Sequence, residues 1–220
     1  MNYWRGRAGT MVKRAVVIAA IGALAAGPVR AQKPSGLCAQ VKPLVSQMAS
    51  LGMLLPASVR ARLIRLAGSN RSSRIDTILS GYSLLEIQIN PESRVKVARG
   101  MAKATLVQRK ETLFLVRIAN EAGVTAPLRI SGPNLVLIPS TESRSGRNRW
   151  LIARVFTLRG ERSQPILSGA PLEYGLVALS TTESGLREAT LVFDVGQGTQ
   201  DLGFRGETSI LFHCRASGGP

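Results

Sequence analysis

The sequence predicts a mainly β fold, an Ig-like antiparallel β-sandwich preceded by two short α-helices, and three observations carry that expectation. From residue 84 onward, short apolar runs follow one another at roughly ten-residue intervals, separated by Gly, Pro and Asn turns. The closing stretch, residues 187–214, places an alternating run (Thr190 and Val192 against Leu191 and Phe193), a Gly-rich loop and a second apolar run (Ile210, Leu211, Phe212) in succession. Before residue 68 the apolar spacing is instead three and four, the period of a helix. No segment of 20–50 residues repeats, which argues against a solenoid or propeller.

The first 31 residues read as a secretory signal peptide. Residues 1–14 are basic and acid-free, residues 15–27 are apolar, and Val29-Arg30-Ala31 offers a small-x-small cleavage site before Gln32. Met11 offers a second start, with a more compact basic region behind it. An apolar run of 13 residues falls short of the roughly 20 that a membrane span needs. The chain is therefore expected to be exported, periplasmic or secreted, after cleavage near Ala31. The expected organisation is 1–31 signal peptide, 32–74 linker and helical appendage, 75–216 β-sandwich and 217–220 tail.

Within the appendage, Val41, Leu44, Val45, Met48 and Leu51 predict one helix, ended by Gly52 and Pro56. Val59, Leu63 and Leu66 predict a second, with Arg60, Arg62 and Arg65 between them and Gly68 as a stop. The polar stretch 68–74 reads as a joint. Beyond it, strands are expected around 84–89, 95–97, 104–107, 113–118, 128–130, 135–138, 150–158, 172–180 and the closing pair. Asn90-Pro91, residues 109–111, residues 120–123 and Ser131-Gly-Pro-Asn134 supply turns. Residues 139–149, rich in Ser, Arg and Gly, read as a loop.

Charge bounds the partners. The whole chain carries +16, and removal of residues 1–31 takes five basic residues and no acid, leaving +11. In an exported protein this excess favours anionic envelope polymers, lipid headgroups or acidic protein partners over nucleic acid, with a well-solvated surface in a generally basic proteome as the alternative. A basic helix around Arg60 to Arg65 adds contact with a membrane surface as an alternative. The plain reading of the same helix packs its apolar stripe on its own domain and leaves the arginines solvated.

Catalytic chemistry is sparse. His213 is the only histidine and stands beside Cys214 in a strand, so the two point to opposite faces and make a poor metal pair. No Gly-x-Ser-x-Gly elbow is present. Asp194 and Asp201 flank Gly-Gln-Gly-Thr-Gln and form the one acidic pairing worth weighing, for calcium or for hydrolysis, against side chains that cap their own loop. No cofactor is expected, and no catalytic or metal-binding residue is assigned. Arg147, Arg149 and Trp150 are the candidate ligand contacts, a stacking ring beside two cations, with a packed strand-end Trp as the alternative. Cys38 and Cys214 stand near opposite ends of the mature chain, and an oxidising compartment allows them to pair; two buried free thiols are the alternative.

Three motifs carry a resemblance: Ile89-Asn-Pro-Glu-Ser-Arg-Val-Lys-Val97, Asn120-Glu-Ala-Gly-Val-Thr-Ala-Pro-Leu128 and Phe193-Asp-Val-Gly-Gln-Gly-Thr-Gln-Asp-Leu-Gly-Phe204. Together they resemble the N-terminal module of exported bacterial proteins whose following domain is a metal-dependent hydrolase of the polymerase-and-histidinol-phosphatase type. The resemblance implies an accessory module without catalysis of its own, and the reading of the whole chain is a module for binding or assembly. The metal ligands of that family belong to the following domain, and none maps onto a position of this sequence.

Overall fold

The computed structural model describes residues 36–138, 148–157, 160–161, 166–196 and 204–217. Strands hold more of the described residues than helices do, as the alternating runs predict. Three helices come first: α1 (Leu37–Ser50), α2 (Ala57–Gly68) and α3 (Ser72–Ser80). The first two occupy the predicted segments. The third corrects the expected polar joint: only residues 69–71 turn, and Ile75, Ile78 and Leu79 then bring a short apolar stripe onto the domain.

Eleven strands follow among the described residues: β1 (Ser83–Ile89), β2 (Val95–Arg99), β3 (Thr105–Val107), β4 (Thr112–Asn120), β5 (Arg129–Ser131), β6 (Leu135–Ile138), β7 (Leu151–Thr157), β8 (Gly160–Glu161), β9 (Leu172–Thr181), β10 (Gly185–Asp194) and β11 (Arg205–Arg215). They form a larger sheet in the order β2-β1-β4-β9-β7-β6, with β8 on β7, and a smaller one in the order β3-β11-β10-β5. The pairing is mixed rather than wholly antiparallel, because β1 with β4, β3 with β11 and β6 with β7 run parallel. Each parallel pair is separated in sequence by enough chain to cross over, which a tight hairpin cannot do.

The larger sheet is covered on both faces. One face meets the smaller sheet, where Val116, Val177, Phe193 and Phe212 pack with Trp150. The other receives the helices, with Leu115, Tyr174, Leu176 and Ala178 against Leu44, Leu63, Ile75 and Leu79. This accounts for the near-continuous apolar runs of β4 and β9, since a strand buried on both faces has no solvent side to fill with polar residues. β11 keeps the alternation of a half-exposed strand, with Ile210, Phe212 and Cys214 buried and Leu211 and His213 exposed.

Close backbone approach draws the sheets together at their margins. A Cβ on Gly206 would stand 2.8 Å from the Val95 carbonyl oxygen, so β11 meets β2 where no side chain fits. Gln108 and Arg109 likewise bond the backbones of Arg215 and Thr181, stitching β11 to β9 through the segment after β3. The turn after β4 is clamped by Asn120, which is buried, donates to the Val124 carbonyl (2.8 Å) and accepts from the Val124 amide (2.9 Å).

Candidate interaction surface

One ion pair fastens the helical layer to the larger sheet. The Arg117 guanidinium on β4 donates through Nε and Nη2 to the two carboxylate oxygens of Asp76 on α3, at 2.8 and 2.9 Å. The Tyr174 hydroxyl on β9 donates to Asp76 Oδ1 at 2.6 Å. Burial alone would push the Asp76 carboxyl up, but hydrogen bonds from Arg117 and Tyr174, together with the guanidinium charge, hold it below the usual carboxylate range. Burial and the bond to Asp76 push the Tyr174 phenol up, so it stays a donor. Arg117 is raised in turn by its bond to Asp76.

The consequence for the outer surface is electrostatic. Residues 36–75 contain Lys42, Arg60, Arg62, Arg65, Arg71 and Arg74 and no acid. Asp76 is the first acid in the chain, and it is committed to Arg117. Arg60 is half-buried and the other five cations are exposed, and none of the six has an ion-pair partner among the described residues. On α2 the buried side is Leu63 and Ala67, with Val59 and Leu66 partly covered, so Arg62 and Arg65 face solvent. The apolar stripe of α2 thus packs on its own domain, and the cations of the helical layer are left without an ion-pair partner among the described residues.

The residues singled out from the sequence are dispersed. Trp150 is buried edge-on to Phe212, with ring centroids 6.0 Å apart and planes at 78°, so it belongs to the core and presents no face to a sugar. Arg149 beside it is half-buried, and Arg147 lies outside the described residues. Asp194 accepts a hydrogen bond from the Gly196 amide at 2.6 Å, and Arg129 donates to the Gly196 carbonyl at 2.7 Å, so this carboxylate caps its own loop. Asp201 lies outside the described residues. His213 is exposed on the outer face of the smaller sheet, across from Leu186, while Cys214 turns inward. Among the described residues no three of His, Cys, Asp and Glu gather where they could hold a metal ion. Between the sheets, a cavity of about 10 Å³ walled by Leu85, Val116, Leu191, Phe193 and other apolar side chains is at the lower limit for one water molecule.

The Cys38–Cys214 bridge is not formed; both thiols are free and buried. Cys38 belongs to the cluster between helices and larger sheet, and Cys214 to the core between the two sheets. The larger sheet stands between them, and a disulfide requires Cα atoms within about 7 Å. Burial pushes both thiols above their ordinary value, which leaves little thiolate at neutral pH. Iodoacetamide is therefore expected to leave the native protein unmodified over minutes and to add two carbamidomethyl groups in urea. A native mass two protons lighter, with no alkylation in urea until reductant is added, would establish the bridge instead.

Asp76, Arg117 and Tyr174 escaped sequence reasoning, although two signals were present. Arg117 is the one charge in the run Leu113 to Ile118, and Asp76 ends 75 residues without an acid. A lone charge in a doubly buried strand calls for a partner, and the nearest acid preceding the sheet supplies it. Comparison with protein-family models and with curated proteins finds no match to this chain.

Proposed function

We propose that this chain is an exported, non-catalytic module whose two sheets pack as an Ig-like sandwich, and that it serves binding or assembly through its basic helical layer. The partner is anionic and belongs to the cell envelope or to a metal-dependent hydrolase that the module accompanies. One observation carries the reading: six cations and no acid across residues 36–75, with five of the six exposed and none ion-paired among the described residues. A solvated face that serves only solubility mixes both signs of charge, whereas a single-sign field attracts counter-charge over a Debye length of about 8–10 Å. The Asp76–Arg117 pair supports the reading as well. It commits to Arg117 the first acid that follows those cations in the chain.

Salt-dependent retention tests the proposal. The protein is expected to bind a carboxylate- or phosphate-bearing matrix and to elute at clearly lower salt once Arg62 and Arg65 are both replaced by glutamate. Equal elution of wild type and the double variant would place the binding elsewhere or nowhere.

A further inference from the structure

The basic face is not purely charged, and its apolar part points to the kind of anion it meets. Leu54, in the segment between α1 and α2, is 70% exposed, and Ile64 on α2 is 43% exposed. Ala57, Ala61, Ile64 and Gly68 recur at four-, three- and four-residue spacing on the exposed side of α2, and Arg65 and then Arg62 follow along one side of that ridge. A soluble polyanion is gripped by charge alone and gains nothing from an exposed leucine and isoleucine. A bilayer surface uses both: arginines meet phosphate headgroups while short apolar side chains enter the acyl boundary beneath them. The 12 residues of α2 span about 18 Å, enough to lie in that interface. Among the described residues no helix is long and apolar enough to cross a membrane, so contact by the helices would be made in the plane of the surface.

Resting on the reading of the helical layer as the docking face, we infer that its partner is an anionic phospholipid surface, engaged by α2 lying in the headgroup plane with Arg62 and Arg65 on phosphates and Leu54 and Ile64 inserted. The experiment is flotation of the protein, in the form its cells accumulate, with vesicles of phosphatidylcholine alone or with about one third phosphatidylglycerol. Retention on a polyanionic resin is measured in parallel. Wild type is expected to float with the anionic vesicles only. Leu54→Ser with Ile64→Ser should weaken vesicle binding by about tenfold while leaving resin retention unchanged. Arg62→Glu with Arg65→Glu should weaken both, the vesicle binding by at least about 20-fold. All four positions are exposed, so unchanged thermal melting is expected and is checked for each variant. Resin retention without flotation would overturn the lipid assignment and leave the docking reading intact. Failure in both assays would end both. Flotation that neither variant weakens would overturn the assignment to this face.

Discussion

Replacing Asp76 with alanine is expected to lower the unfolding free energy by about 2–3 kcal/mol and the melting temperature by about 5–10 °C. The carboxylate accepts both arms of Arg117 and the hydroxyl of Tyr174 in a site about three-quarters shielded from solvent. Its removal takes the paired carboxylate from the guanidinium and leaves the phenol only its longer bond to the backbone carbonyl of residue 76 (3.2 Å), and a part-buried charge that has lost its partner costs more than the pair itself contributes. The effect also carries a sign in pH. The folded carboxyl lies below its unfolded value of about 3.9, so the stabilisation is fully present above that value and is lost as pH falls through the folded one. Urea titrations from pH 6 down to pH 2 should show a loss in the acid limb that Asp76→Asn lacks. Equal stability of wild type and variant at pH 6 would mean that Arg117 finds another acceptor, and that the pair does not hold α3 in place.

Phe212→Ala is expected to cost about 3–5 kcal/mol, the range for truncating a fully buried aromatic side chain, whereas Leu211→Ala should change stability by less than about 0.5 kcal/mol. The two residues are adjacent on β11 and similar in hydrophobicity. Phe212 has no exposed surface and meets Trp150 edge-on, while Leu211 is 60% exposed on the opposite face. Denaturant unfolding measures both costs, and Trp150 supplies an internal readout. Truncation of Phe212 opens the indole to a less apolar environment and should move its emission to longer wavelength, with no such shift in Leu211→Ala. A small cost at Phe212 would require the sheets to collapse onto the vacancy, which the close approach of β11 to β2 at Gly206 and Val95 opposes.

The strand order bears on how the helical layer is presented. β4 and β9 lie at the centre of the larger sheet and supply both Arg117 and Tyr174, so the anchor for α3 rests on strands paired along both edges. Loss of the anchor is therefore expected to affect the basic face as well as stability, because α3 carries Arg74 and packs on α2.

Local pattern was enough for most of the elements. Apolar spacing of three and four placed α1 and α2, with Gly52, Pro56 and Gly68 as breaks, because helix and strand periods differ and these residues interrupt both. The two-residue period and the turn residues placed the strands from Ser83 to Arg215 apart from the two-residue β8, and the lack of acids before Asp76 is written in the chain itself. Pairing and burial were decided by the tertiary structure. Which strands run parallel, and that helices cover the second face of the larger sheet, depend on contacts between residues far apart in sequence. For Trp150 the sequence favours a packed strand-end residue over a stacking platform, and it is Phe212, met edge-on, that places the ring in the core. Cys38 and Cys214 read either as partners or as two buried free thiols until they are seen in different clusters on either side of the larger sheet. Asp76 takes on its role only when folding brings it to Arg117 and Tyr174, 41 and 98 residues away. Periodicity is a property of neighbours along the chain, whereas burial and ion pairing are properties of neighbours in space.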